Sequence, residues 1–166
     1  MKTIIIFLLL SFSAIAQDAI WISGSIDAKL LVTDDDYGNN APTFDTNIRV
    51  DLQGLDTKLG FLVIQAKFEY ADINPRMLRY SAGVGFTFNG IKRLEVMPSA
   101  NYGRIVRYER AFSSFEGTLD VNYVIAPKFK IGVILALTQR TDVKYKWGGN
   151  MLWRESMFIS VGYKLK

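Results

Sequence analysis

The chain has 166 residues, enough for one domain, and its net charge of +4 is too weak and too scattered to suggest a nucleic-acid partner. It contains neither cysteine nor histidine. That removes disulfides, thiolate chemistry, cysteine zinc sites, any Ser-His-Asp triad, and the commonest general base and metal ligand.

The first segment reads MKTIIIFLLLSFSAIAQ. A cationic start at Lys2, an apolar stretch from Ile4 to Leu10 and Ala14-Ile15-Ala16 have the form of a secretory signal peptide. Cleavage after Ala16 is expected, leaving residues 17–166 as one barrel domain. The apolar run is too short for an anchor helix, and no Cys follows the site, which argues against a lipoprotein anchor.

Beyond Ala16 the pattern has a period of two, repeated eight times. Strand one, Ala19 to Thr33, sets Ile20, Ile22, Ile26, Ala28, Leu30 and Val32 against Ser23, Ser25, Asp27 and Lys29. Strand two, Thr43 to Gln53, sets Phe44, Ile48, Val50 and Leu52 against Asp45, Asn47, Arg49 and Asp51. Strand three, Gly60 to Ala71, sets Leu62, Ile64, Ala66, Phe68 and Tyr70 against Gln65, Lys67 and Glu69. Strand four, Met77 to Phe88, sets Leu78, Tyr80, Ala82, Val84, Phe86 and Phe88 against Arg79, Ser81, Gly83, Gly85 and Thr87. Strand five, Leu94 to about Val106, contains Pro98, which predicts a bulge or local irregularity between Pro98 and Arg107. Strand six, Ser114 to Ile125, sets Phe115, Leu119, Val121, Tyr123 and Ile125 against Glu116, Thr118, Asp120 and Asn122. Strand seven, Phe129 to Gln139, sets Phe129, Ile131, Val133, Leu135 and Leu137 against Lys130, Gly132, Ala136 and Thr138. Strand eight starts near Leu152 and runs through Ile159, Val161, Tyr163 and Leu165.

Tight turns are expected after strands two, four and six, with Asn89-Gly90 the strongest hairpin signal. The connections after strands three and five, DINPR and YERAF, read as short loops, and the longest loops follow strands one and seven.

Eight such strands make one of two opposite objects. A soluble lipocalin-like barrel buries its apolar face, and a membrane barrel buries its polar one. The polar face here mixes small residues with balanced charge: Asp27, Asp45, Asp51, Glu69, Glu95, Glu116 and Asp120 against Lys29, Arg49, Lys67, Arg79, Lys130, Arg154 and Lys164. That balance suits an ion-pair network inside a lumen barely wide enough for side chains. The apolar face is almost uncharged at its centre. Aromatic residues gather near the strand ends, as Phe86, Phe88, Tyr123, Phe129 and Tyr163 at one end and Phe68, Tyr70, Tyr102, Phe115 and Trp153 at the other. This predicts the membrane object: an all-β, eight-stranded, antiparallel up-and-down transmembrane barrel.

On this architecture the chain resembles the small eight-stranded outer-membrane proteins of the OmpA-membrane-domain and OmpX kind. The alternating end Ile159, Val161, Tyr163 and Leu165 is similar to their C-terminal assembly signal, departing from it at Lys166. The resemblance implies a bacterial outer-membrane location, periplasmic termini and tight turns, outer loops, and insertion by the outer-membrane assembly machinery. Lipid-A-modifying barrels of this size depend on a His, so that activity does not carry over.

Three constellations bear on chemistry. Glu116 and Asp120 share one strand face, and ion pairing is the simpler reading of them than acid–base work. DDDYGNN, Asp34 to Asn40, offers oxygen ligands without the EF-hand spacing and reads as a solvated turn. Arg104, Arg107, Arg110, Lys144, Lys146 and Trp147 put cations and aromatics at the outer rim, where lipopolysaccharide presents phosphates, although Glu109, Asp142 and Glu155 dilute them. The expectation is a non-enzymatic barrel without cofactor or metal. Its lumen is plugged, and its role is structural or recognition through the loops, or accessory to a larger membrane complex. The alternatives are a porin-like narrow channel or small-ligand transporter, and a soluble periplasmic binding barrel.

Overall fold

The computed structural model describes residues 19–33, 41–148 and 153–166, with the side chains of residues 146 and 147 excepted. The signal-peptide segment and the DDDYGNN loop lie outside the described residues. Eight strands follow one another: β1 Ala19–Asp27, β2 Asp45–Thr57, β3 Gly60–Ala71, β4 Met77–Ile91, β5 Leu94–Arg107, β6 Arg110–Ala126, β7 Phe129–Gln139 and β8 Trp153–Lys164. Each pairs antiparallel with its neighbours, and β8 pairs with β1, so the sheet is a closed barrel. Two short helices lie between strands: α1 Ala28–Val32 after β1, and α2 Thr141–Trp147 before β8.

The alternation decides which face is inside. On β2, Ile48 is 59% exposed while its neighbour Arg49 is 4% exposed. The same holds around the barrel: Asp51, Lys67, Glu69, Arg79, Glu116 and Asp120 are buried, while Phe68, Val84, Leu119, Val133 and Ile159 are exposed. An apolar outer wall around a polar interior is the membrane arrangement, the reverse of a soluble barrel. The two aromatic groups sit at opposite ends of that wall. Phe129 and Tyr163 touch at 5.0 Å between ring centres near the tight turns, and Phe115 and Trp153 at 6.3 Å near the loops.

Local chemistry moves several expected boundaries. Strand one ends at Asp27, not Thr33. The Asp27 carboxylate accepts hydrogen bonds from the Lys29 and Leu30 amides, capping α1. The good helix formers of AKLLV then continue as a helix. Asn89-Gly90 is not the hairpin turn: β4 runs on to Ile91, its register with β5 shifts between Phe88 and Ile91, and the turn residues are Lys92 and Arg93. The Asn-Gly pair sits in that irregularity. The β5–β6 connection is no loop either. It is a two-residue turn in which Tyr108 (φ 54) and Glu109 (φ 58) both adopt the left-handed conformation that a type I′ hairpin requires. Neither is Gly or Asn, so the usual signal is missing.

Pro98 behaves differently from expectation. Its register with β6 is unbroken, Pro98 lying opposite Leu119, so no bulge follows it toward Arg107. The gap is on the other side, where β4–β5 pairing lapses at Phe86 and Thr87, opposite Pro98 and Met97. A proline lacks the donor that this ladder needs.

Apolar residues also point inward, in three small clusters: Phe61, Val63 and Met97 near the tight turns; Ile134, Ala136 and Phe158 at mid-height; and Ala71, Ile73, Met77 and Ile105 near the loops. Polar-face alternation conceals them in the sequence.

Candidate functional site

The interior is a stack of ion pairs. Nearest the tight turns, Lys130 meets Glu95 at 3.3 Å and lies 4.5 Å from the Trp21 ring centre. Its aliphatic stem passes Gly162, where a Cβ would stand 2.9 Å from Lys130 Cγ, so only glycine leaves it room. Above this, Arg49 bridges Asp51 (2.9 Å) and Asp120 (2.6 Å), and the Thr118 hydroxyl donates to Asp120 at 3.0 Å. At mid-barrel, Lys67 contacts Glu116 (3.0 Å) and Glu69 (3.2 Å). Arg79 contacts the same two acids at 2.5 and 3.3 Å, and Thr138 donates to Glu116 at 3.1 Å. Toward the loops, Arg154 lies between Asp27 (3.3 Å) and Asp45 (3.5 Å). Glu116 and Asp120 are thus engaged by separate cations instead of facing each other across a reaction centre.

Two residues expected in this network take no part in its ion pairs. Lys29 is exposed on α1, because the strand that would have turned it inward stops at Asp27. Lys164 faces inward beside Trp21 but has no ion-pair partner among the described residues.

At the loop end of the interior lies a cluster that the sequence pattern concealed. Asp142, at the start of α2, is fully buried, with Arg140 at 2.7 Å and Arg107 at 3.1 Å. Arg107 also donates to the backbone carbonyls of Asn74 and Pro75. One guanidinium therefore fastens the β3–β4 connection to α2. Arg107 is not an available rim cation, as its position near a strand end had suggested; its inward parity on β5 turns it into the mouth.

Burial alone would push the Asp142 carboxyl up, but hydrogen bonds and charge from Arg140, then Arg107, outweigh it and hold the carboxyl below its ordinary value. A folded value below the unfolded one of about 3.9 means that this stabilisation is fully present above about pH 4 and is lost as pH falls through the folded value. Amide exchange in residues 141–147 should therefore be flat from pH 8 to 5, after correction for intrinsic rates, and accelerate below about pH 4. Asp142→Asn should raise it at neutral pH and flatten the acid response.

Of the cations expected at the rim, Arg104, Arg110 and Lys144 remain there among the described residues. Arg104 is exposed on the outer face of β5, opposite Tyr80 and two residues from Tyr102, with no ion-pair partner among the described residues. Arg110 lies 4.9 Å from the Tyr145 ring centre, and Tyr145 packs on Phe112 at 5.3 Å. Lys144 is exposed on α2. The side chains of Lys146 and Trp147 fall outside those described.

At the C-terminal end, Ile159, Val161, Tyr163 and Leu165 are all exposed on the outer wall. The Leu165 amide donates to the Ile20 carbonyl at 2.8 Å, which ties this end to β1.

Solved structures share this architecture. The outer-membrane protein Ail of Yersinia pestis in a phospholipid bilayer nanodisc is 13% identical, matches 90% of this chain and 100% of its own, and superposes with a TM-score of 0.56. Neisserial surface protein A is 9% identical over 89% of this chain and 96% of its own, with a TM-score of 0.51. This is the fold of the small eight-stranded outer-membrane barrels. A de novo designed transmembrane β-barrel has it too, with 11% identity, a TM-score of 0.51 and coverage of 89% and 95%. No protein-family model and no curated protein sequence matches the chain. The shared feature is therefore the barrel itself.

Proposed function

We propose that the protein is a non-enzymatic barrel of the bacterial outer membrane, with periplasmic termini and a lumen closed by its own side chains. Its role is structural, or recognition through the loop end, including service as an accessory to a larger membrane complex. Insertion would go through the outer-membrane assembly machinery. One observation carries this reading: cations and acids from all eight strands or their ends neutralise one another across the interior, beneath the Arg107–Asp142–Arg140 closure. On this reading the neutralised interior blocks a continuous polar path for ions. Planar-bilayer recordings should show no steady single-channel currents; steady currents would instead support a narrow transport channel.

The outer-leaflet partner in this reading is lipopolysaccharide, held through its phosphates by Arg104, Arg110 and Lys144. Each such cation contributes about 1 kcal/mol at an anionic membrane surface. Replacing all three by alanine should weaken lipopolysaccharide binding on the order of 100-fold if the contributions add. Binding that is unchanged in the triple variant would remove the rim from the proposal.

A further inference from the structure

The tight-turn end of the barrel carries a ring of cations. Lys58 lies between β2 and β3, Lys92 and Arg93 between β4 and β5, Lys128 between β6 and β7, and Lys166 follows β8. All five are exposed, and none has an ion-pair partner among the described residues. Asp56 is the one exposed acid among the described residues at this end, since Glu95 is engaged by Lys130. The four sites are spread around the circumference, because the turns join successive strand pairs of a closed sheet. Backbone hydrogen bonds fix them in place: the Arg93 carbonyl accepts from the Val124 amide at 2.8 Å, and the Lys128 carbonyl from the Lys164 amide at 2.9 Å.

Each site also sets an exposed apolar residue beside its cation: Leu59 next to Lys58, Ile91 next to Lys92, Phe129 next to Lys128 and Leu165 next to Lys166. Leu59 is 72% exposed and Ile91 65%. Leu55 adds to them. It is the extra residue where the β2–β3 register shifts, and it holds a left-handed φ of 43° that a residue with a Cβ adopts at a cost. Apolar side chains next to cations, all round the lower edge of the outer wall, match an enclosing layer that offers both acyl chains and anions. An acidic soluble partner would have to encircle the barrel to reach all four sites. The headgroup follows from the charge. Five cations against one acid leave a surplus that a zwitterionic headgroup does not neutralise, because its own ammonium offsets its phosphate. A phosphodiester headgroup without an amine does neutralise it.

Resting on the membrane reading above, we propose that the tight-turn end gathers phospholipids of net negative charge into the lipid shell of the leaflet it faces, which in that reading is the periplasmic, phospholipid leaflet. The cations hold the phosphates, and the apolar neighbours enter the acyl boundary beside them. Lipopolysaccharide at the loop end and anionic phospholipid at the turn end then engage separate sets of cations.

The chain has no cysteine, so Gly90→Cys provides a single labelling site at this end, and a Cβ there meets nothing within 4 Å. The barrel, labelled there with a fluorophore, is reconstituted in phosphatidylcholine vesicles. These contain equal mole fractions of phosphatidylglycerol, phosphatidylethanolamine or phosphatidylcholine bearing a nitroxide near the ester end of one acyl chain. Labelled phosphatidylglycerol should quench about threefold more effectively than either zwitterionic lipid, the scale of an exposed charge pair. Changing Lys58, Lys92, Arg93, Lys128 and Lys166 together to Gln should abolish the preference, whereas changing Arg104, Arg110 and Lys144 to Ala should leave it. Raising salt from 0.1 M to 1 M, which shortens the screening length from about 10 Å to about 3 Å, should abolish it in the unsubstituted ring. The salt result decides even if the fivefold variant does not insert. Quenching by phosphatidylglycerol no stronger than by a zwitterionic lipid overturns the proposal and leaves the ring to an acidic soluble partner. A preference that survives the five substitutions or 1 M salt overturns it as well. Heat-modifiable gel migration separates the two levels: a barrel that inserts but shows no preference refutes the ring alone, and an unsubstituted chain that fails to insert refutes the membrane reading and the ring with it.

Discussion

Replacing Glu116 by alanine is expected to destabilise the barrel by about 3–5 kcal/mol, the cost of leaving buried charge uncompensated. Glu116 is fully buried and is the acid that Lys67 and Arg79 share. Without it, both cations face Glu69 alone, at 3.2 and 3.3 Å, and Thr138 loses its acceptor. The penalty comes from the imbalance more than from lost attraction, and that distinction is testable. A second substitution, Arg79→Met, leaves Lys67 and Glu69 as a one-to-one pair and should recover roughly half of the loss, because the two sites are in contact and their effects do not add. Equilibrium urea unfolding in lipid vesicles measures both variants. A Glu116→Ala cost below about 1 kcal/mol would mean that the lumen is solvated well enough to screen its charges.

The second large effect lies on the opposite face of the same wall. Val133 is an exposed outward residue near the middle of β7, flanked in register by Val121 and Ile159. In water a Val133→Arg change at such a position would shift stability by no more than about 0.5 kcal/mol. At the bilayer midplane it should cost about 2–4 kcal/mol, and Ile125→Arg, near the end of β6, only about 0–1 kcal/mol. The gradient between the two positions identifies the solvent that the wall faces. Equal, small effects at both would sink the membrane reading.

The barrel was legible in the sequence because a period of two is set by the backbone itself, and eight copies of it reinforce one another. Phe44, Ile48 and Val50 against Asp45, Asn47 and Arg49 already state which residues share a face. What alternation does not state is where a strand stops. Asp27 fits a strand face and a helix cap equally well, and only the two amides it caps decide between them. The Tyr108–Glu109 turn was hidden for a similar reason: its left-handed backbone is imposed by the strands on either side and not by a glycine. Within the lumen, the types of residue were readable and the pairing was not. Arg107 and Asp142 lie 35 residues apart and meet only because α2 brings Asp142 back against β5.

The Arg154 bridge has a consequence for how the chain is made. Its two acids precede it by 127 and 109 residues. Asp27 and Asp45 therefore emerge early in synthesis and wait without their cation until nearly the whole polypeptide exists. An assembly intermediate lacking β8 has an open seam and two acids that oppose its entry into lipid. On the membrane reading, commitment to the bilayer is then expected to wait for completion of the chain.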